Sequence, residues 1–183
     1  MNRLFKSGEM QKVIERILAL AFNFDGDGEI DIILFGTNAY QLPPVSINNL
    51  DGYVKDVVLK KYKIIEATKY ATALNLIHEK YQNNKADPVF VIFITDGNNS
   101  DKTETTELVR KLSKEAFFLQ FVGIGVENFP YLRKLDELKG RLVDNAGFMH
   151  INYITNIPDE ELYSQLLNEF PEWIISAKSL DLL

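Results

Sequence analysis

Hydrophobic and polar positions follow two periods along this chain, and the changes of period divide it into elements. From residue 9 to 21, Met10, Val13, Ile14, Ile17, Leu18 and Ala21 share one helical face, with Glu9, Lys12, Glu15 and Arg16 off it. Asp25-Gly26-Asp27-Gly28 ends that helix, and Ile30-Asp31-Ile32-Ile33-Leu34-Phe35-Gly36 reads as the first strand. A short strand at Tyr40-Gln41-Leu42 precedes Pro43-Pro44. Helical spacing returns over 50–62 (Tyr53, Val54, Val57, Val58) and over 70–81 (Ala73, Leu74, Ile77, Tyr81). Val89-Phe90-Val91-Ile92-Phe93-Ile94 is an unbroken apolar run of β-branched and aromatic residues, which predicts a strand buried on both faces. A helix over 104–114, a strand over 117–125, a short helix over 131–138 and an edge strand over 147–151 follow. Pro158-Asp159-Glu160-Glu161 starts a final helical region, since proline and acids both suit a first turn. Strands alternating with helices predict an α/β fold with a mostly parallel sheet.

The chemistry concentrates where the apolar run stops, at Thr95-Asp96-Gly97-Asn98-Asn99-Ser100-Asp101. Open α/β sheets bind ligands at the carboxyl ends of their strands, and a loop of acid, amide and hydroxyl groups suits a hard cation. Asp96 reads either as a metal carboxylate or as a turn aspartate bonded to its own backbone. Thr68, in Glu66-Ala67-Thr68-Lys69-Tyr70, reads on residue type alone as a helix N-cap. Asp25-Gly26-Asp27-Gly28-Glu29 is not an EF-hand loop: the positions that need glycine and glutamate hold Ile30 and Gly36. Gly123-Ile124-Gly125 lacks the third glycine of a dinucleotide fingerprint, whose place holds Asn128. His78 and His150 read as half-buried structural histidines.

Composition narrows the function classes. The 183 residues fit one domain over 1–183 with a core of its own. With no cysteine and two histidines, thiolate catalysis, zinc–thiolate sites and multi-histidine centres are excluded, and a cytoplasmic location is expected. A net charge of -6 argues against nucleic acid or an anionic membrane as partner. No apolar run approaches a membrane span, and no signal peptide is evident. Nothing in the residues marks an enzyme.

Jointly, several stretches resemble a von Willebrand factor type A (vWA) domain, of the bacterial type at the C-terminus of TerF-like tellurium-resistance proteins. They are Phe5-Lys6-Ser7-Gly8 through Arg16, Leu34-Phe35-Gly36 with Leu42-Pro43-Pro44-Val45, Phe93 through Lys102, Gln120 through Gly125, Val143 through Phe148, and Leu167 through Trp173. The resemblance implies a Rossmann-like three-layer sandwich, a mostly parallel sheet with helices on both faces. It also implies a metal-ion-dependent adhesion site, with Thr68 and Asp96 as ligands and Glu66, Asn98, Asn99 and Asp101 on the partner-binding face. The family's Asp-x-Ser-x-Ser segment and its central strand would precede Met1 and are not in this sequence. Thr68 and Asp96 alone supply few of the ligands that magnesium wants, so weak or absent binding of Mg2+ or another divalent cation is expected. The function implied is a non-enzymatic protein-interaction module, linked to tellurium or stress resistance. The runner-up is a degenerate, metal-free scaffold that associates through an exposed sheet edge, including as a homodimer. A third reading, a metal-assisted phosphohydrolase, would have Asp96 and Asp101 hold the ion.

Overall fold

The computed structural model describes residues 1–23, 28–63, 67–83, 87–154 and 156–183. Its centre is a parallel three-stranded sheet of β5 (Val89–Thr95), β6 (Phe117–Ile124) and β7 (Ala146–Ile151), in that spatial order. The registers place Phe93 beside Phe121 and Phe121 beside Phe148. Every residue of β6 is buried, and its period-two alternation explains how: odd positions face one helical layer and even positions the other. Phe117, Leu119 and Phe121 pack with α3 (Tyr70–Tyr81), α4 (Lys102–Leu112) and α5 (Pro130–Asp136). Val122 and Ile124 pack with α1 (Asn2–Lys6), α2 (Glu9–Ala21) and α6 (Asp159–Leu166). Phe118 receives Trp173 of α7 (Phe170–Ser179). The expected sandwich, with helices on both faces of a parallel sheet, is therefore present.

The helices follow their sequence signals. Gly8, at φ 83, turns the chain between α1 and α2, a left-handed conformation that costs glycine little. Arg16 fastens α2 to the segment between β7 and α6, donating from Nη1 and Nη2 to the carbonyls of Ile154 and Ile157 and pairing with Asp159. Pro130 opens α5, as proline at a first turn should. The 50–62 pattern forms a π-helix at its centre, Val54–Leu59, which keeps Val54 and Val58 buried.

The first predicted strand is corrected. Residues 30–36 do not form one parallel strand: β1 (Glu29–Ile30) pairs antiparallel with β4 (Val45–Ser46), and β2 (Ile33–Phe35) pairs antiparallel with β3 (Ala39–Gln41). The break falls at Asp31, whose carboxylate pairs with Lys80 and accepts the Tyr81 hydroxyl. That bond fixes a charge at the surface in the middle of the run. The expected double-sided burial of β5 is also corrected, because five of its seven residues are only half-buried. Among the described residues β5 has a hydrogen-bonded strand on one side only. An apolar cleft of about 890 Å3 separates its free edge from β2.

On the α7 side of the sheet, Arg141 lies almost fully buried, donating to the carbonyls of Leu138 and Asp136 and pairing with Asp144. Burial, and then the neighbouring acids, push Glu169 up to about 7 and Asp136 up to about 6. Both values exceed those of an unfolded chain, so the folded state binds these protons more tightly. Their contribution to stability is full below about pH 4 and is lost as pH rises through 6 to 7. Both groups are partly exposed, so each loss is expected to be on the order of 1 kcal/mol after screening. The melting temperature of Glu169→Gln should therefore fall less than that of the native protein between pH 5 and 8, as read by circular dichroism.

Candidate functional site

The candidate site lies at the carboxyl end of β5, where three chain segments meet. Backbone bonds join them. The Lys69 N–H donates to the carbonyl of Gly36 at 2.9 Å, just past β2, and the Ser100 N–H donates to the carbonyl of Thr68 at 3.0 Å. The Ser100 hydroxyl adds a second bond to the same carbonyl at 3.3 Å. Thr68 is thereby held against the loop that follows Asp96.

Beneath this loop is a buried polar lattice built on Asp101. Its Oδ1 accepts the Tyr70 N–H at 3.0 Å and the Asn99 amide at 2.7 Å, and its Oδ2 accepts the Ala71 N–H at 2.8 Å. The Tyr70 and Ala71 N–H groups are first-turn donors of α3, and a carboxylate there also meets the positive end of the helix dipole. Asp101 thus caps α3 from 30 residues away. Its own carbonyl accepts the Thr105 N–H and hydroxyl, which starts α4. Tyr70, fully buried, donates its hydroxyl to the carbonyl of Gly97 at 2.5 Å and lies 3.1 Å from the Thr95 hydroxyl. Burial above all pushes that phenol up to about 12, so it stays a donor and fixes the turn that presents Asp96.

Asp96 itself is different. Its side chain is 38% exposed, and its carboxylate lies against the amino group of Met1. Asn98 and Ser100 are exposed and Thr68 is half-buried. The sequence-derived site therefore divides in two. Asp96, Thr68 and Asn98 reach the surface together with Ser100. Asn99 and Asp101 are 7% exposed, and both Asp101 oxygens are committed to α3. Assigning Asn99 and Asp101 to a partner-binding face is corrected on that ground, and so is an ion held between Asp96 and Asp101. Glu66 lies outside the described residues. The alternative of Thr68 as helix cap is also corrected, because Lys69 holds the cap position and no side-chain cap bond is made there.

Sequence reasoning missed the caps by Asp101 and the anchoring by Tyr70. Asp101 stands just before α4, so its local signal is that of a cap for the wrong helix. Only the fold shows that it reaches α3. In donor type, Asp96, Thr68 and Ser100 suit a hard cation. Among the described residues no group of three or more histidine, cysteine or acidic side chains is placed to hold a metal. Two or three protein oxygens with water are what the surface part of the site offers. No described helix is long and apolar enough to cross a membrane.

Comparison with known proteins agrees with the fold. The solved vWA domain of SpRpn10 superposes with a TM-score of 0.60 at 12% identity, covering 87% of this chain and 81% of that one. The fold is thereby shared. YcbR of Bacillus subtilis (strain 168), an uncharacterised protein, is 38% identical over 182 residues, 97% of this chain and 74% of its own length. Copine-E of Dictyostelium discoideum is 26% identical over 179 residues, 83% of this chain but only 30% of that protein. The pattern of the family described as "vWA found in TerF C terminus" matches residues 1–182. The chain belongs to that vWA family.

Proposed function

We propose that this chain is a non-enzymatic protein-interaction module, a single vWA-like domain over 1–183. Its contact face is the carboxyl end of β5, where Asp96, Thr68 and Asn98 are presented beside Ser100. Family membership supports an interaction role in general. The observation that carries the finer reading is the division of labour among the loop's acids: Asp101 is spent on structure, whereas Asp96 is held half-exposed on a turn braced by Tyr70. A divalent cation such as Mg2+ at this face would be held by Asp96, with Thr68 and Ser100 as neutral oxygen donors and water for the rest. So few protein ligands imply weak binding. When bound, the cation would add a positive charge able to attract an acidic group of a partner. A cytoplasmic site of action and a link to tellurium or stress resistance belong to this proposal through the TerF-like resemblance. With no cysteine, the chain has no thiol with which to reduce tellurite itself.

The test is a thermal-shift titration with magnesium and manganese on the native protein and Asp96→Ala. The expected result is a rise of a few degrees at millimolar cation, absent in Asp96→Ala; by mass action, a concentration tenfold above Kd stabilises by about 1.4 kcal/mol. Equal shifts in the two proteins would remove Asp96 from any cation site. Turnover of a generic phosphoester, lost in Asp96→Ala, would instead support an enzyme.

A further inference from the structure

Where α7 begins, two acceptor oxygens converge on the sheet. Glu169 occupies the N-cap position of α7, but its carboxyl makes no cap bond. It reaches down to the sheet instead. Gln120 of β6 and Gly147 of β7 are register partners and share the face on which Phe118 meets Trp173. A Cβ on Gly147 would lie 2.7 Å from Gln120 Oε1 and 3.1 Å from Glu169 Oε1. Glycine therefore leaves the room in which these two oxygens come together. Gln120 is 2% exposed, and among the described residues neither its amide nor the Glu169 carboxyl has a hydrogen-bond or ion-pair partner. A buried amide oxygen beside a carboxylate oxygen is costly unless a donor lies between them. A protonated carboxyl supplies that donor and satisfies both groups.

The surroundings favour the proton. The charged groups that face Glu169 are Asp136 at the end of α5, Asp144 and Arg141 before β7, and Glu172 in the first turn of α7. Glu137 and Arg133 act on Asp136 from the α5 side. Arg141 does little for Glu169, because its donors are spent on the carbonyls of Leu138 and Asp136 and on the Asp144 carboxylate. Burial, and then Asp136 and Asp144, hold the Glu169 carboxyl up at about 7. Loss of the proton leaves a carboxylate against an amide oxygen, among other acids. Turning that carboxylate out to water relieves the repulsion and lifts the first turn of α7. Trp173 moves with it, because its N–H donates to the Glu169 carbonyl at 3.0 Å.

We propose that Glu169 and Gln120 form a proton-held latch, which seats α7 on β6 and β7 when protonated and frees the first turn of α7 when the proton leaves. Release uncovers Phe118 and Trp173, so the latch ties exposure of an apolar face to pH near neutrality. It is independent of the cation reading at Asp96.

Trp173 is the only tryptophan of the chain and reports its own seat. Acrylamide quenching of its fluorescence is measured on the full chain from pH 5 to 9, with far-UV circular dichroism beside it. The proton stabilises the seat at low pH, and that contribution is lost as pH rises to the raised value. The quenching constant should therefore rise at least about twofold and level off above about 7, while most of the dichroism signal persists. Glu169→Gln keeps an N–H toward Gln120 at every pH, so its quenching should stay low and flat. Asp136→Asn removes the acid that most repels Glu169, so its rise should level off at a lower pH. A rise that persists in Glu169→Gln belongs to another group, such as His78 or His150, and overturns the proposal. A flat profile in the native protein, loss of the whole dichroism signal in the same window, or an unmoved plateau in Asp136→Asn would each overturn it as well.

Discussion

Asp101→Ala is expected to lower the unfolding free energy by about 3–5 kcal/mol, the largest effect of any substitution around the candidate site. The carboxylate accepts three bonds in a buried setting, two of them from the first turn of α3. Hydrogen bonds to a charged group contribute roughly 1.5–3 kcal/mol each, and deleting the acceptor leaves buried donors without a partner. Burying the charge has its own desolvation cost, which keeps the net effect below the sum of the bonds. For a chain of this size the melting temperature should fall by roughly 10 °C or more. Asp101→Asn, which keeps one acceptor oxygen, should lose about half as much. Urea denaturation measures both, and a loss under 1 kcal/mol in Asp101→Ala would mean that α3 does not depend on this cap.

The second large effect is expected at Trp173, the only tryptophan of the chain. It is buried against Phe118 and Phe170 and holds α7 on the sheet. Trp173→Ala should cost about 3–5 kcal/mol, through lost burial and the cavity left behind. Trp173→Phe should cost much less than its lost volume suggests. The indole Nε1 is buried without an acceptor among the described residues, so removing it also removes an unpaired donor. Far-UV circular dichroism must follow these melts, because both variants lose the fluorophore. Equal destabilisation by phenylalanine and alanine would show that the indole N–H is satisfied in solution.

The sequence was legible wherever one local signal decided the structure. The helix over 70–81 and the strand beginning at Val89 stand where apolar spacing puts them. It was less legible where the outcome depended on a neighbour distant in the chain. The run from Ile30 to Phe35 has strand composition, but it splits because Asp31 is drawn to Lys80 and Tyr81. The Asp96 loop could be placed at the end of a sheet from the pattern alone. That Asp101 faces inward could not, because its partners, the N–H groups of Tyr70 and Ala71, are backbone groups with no residue-type signature. Thr68 shows the converse: local chemistry suggested a cap, and tertiary placement beside Ser100 moved it to the surface part of the site.

The bonds from Lys69 to Gly36 and from Ser100 to Thr68 have a mechanical consequence. They fasten the walls of the cleft at the carboxyl end of β5, while among the described residues no backbone bond joins β2 to β5 farther along. That seam ties the end of β2, the segment before α3 and the loop after β5 into one unit. Amide exchange should report this as a gradient. The Lys69 and Ser100 amides should exchange slowly, whereas those β5 amides that point away from β6 should exchange faster than their neighbours one residue on.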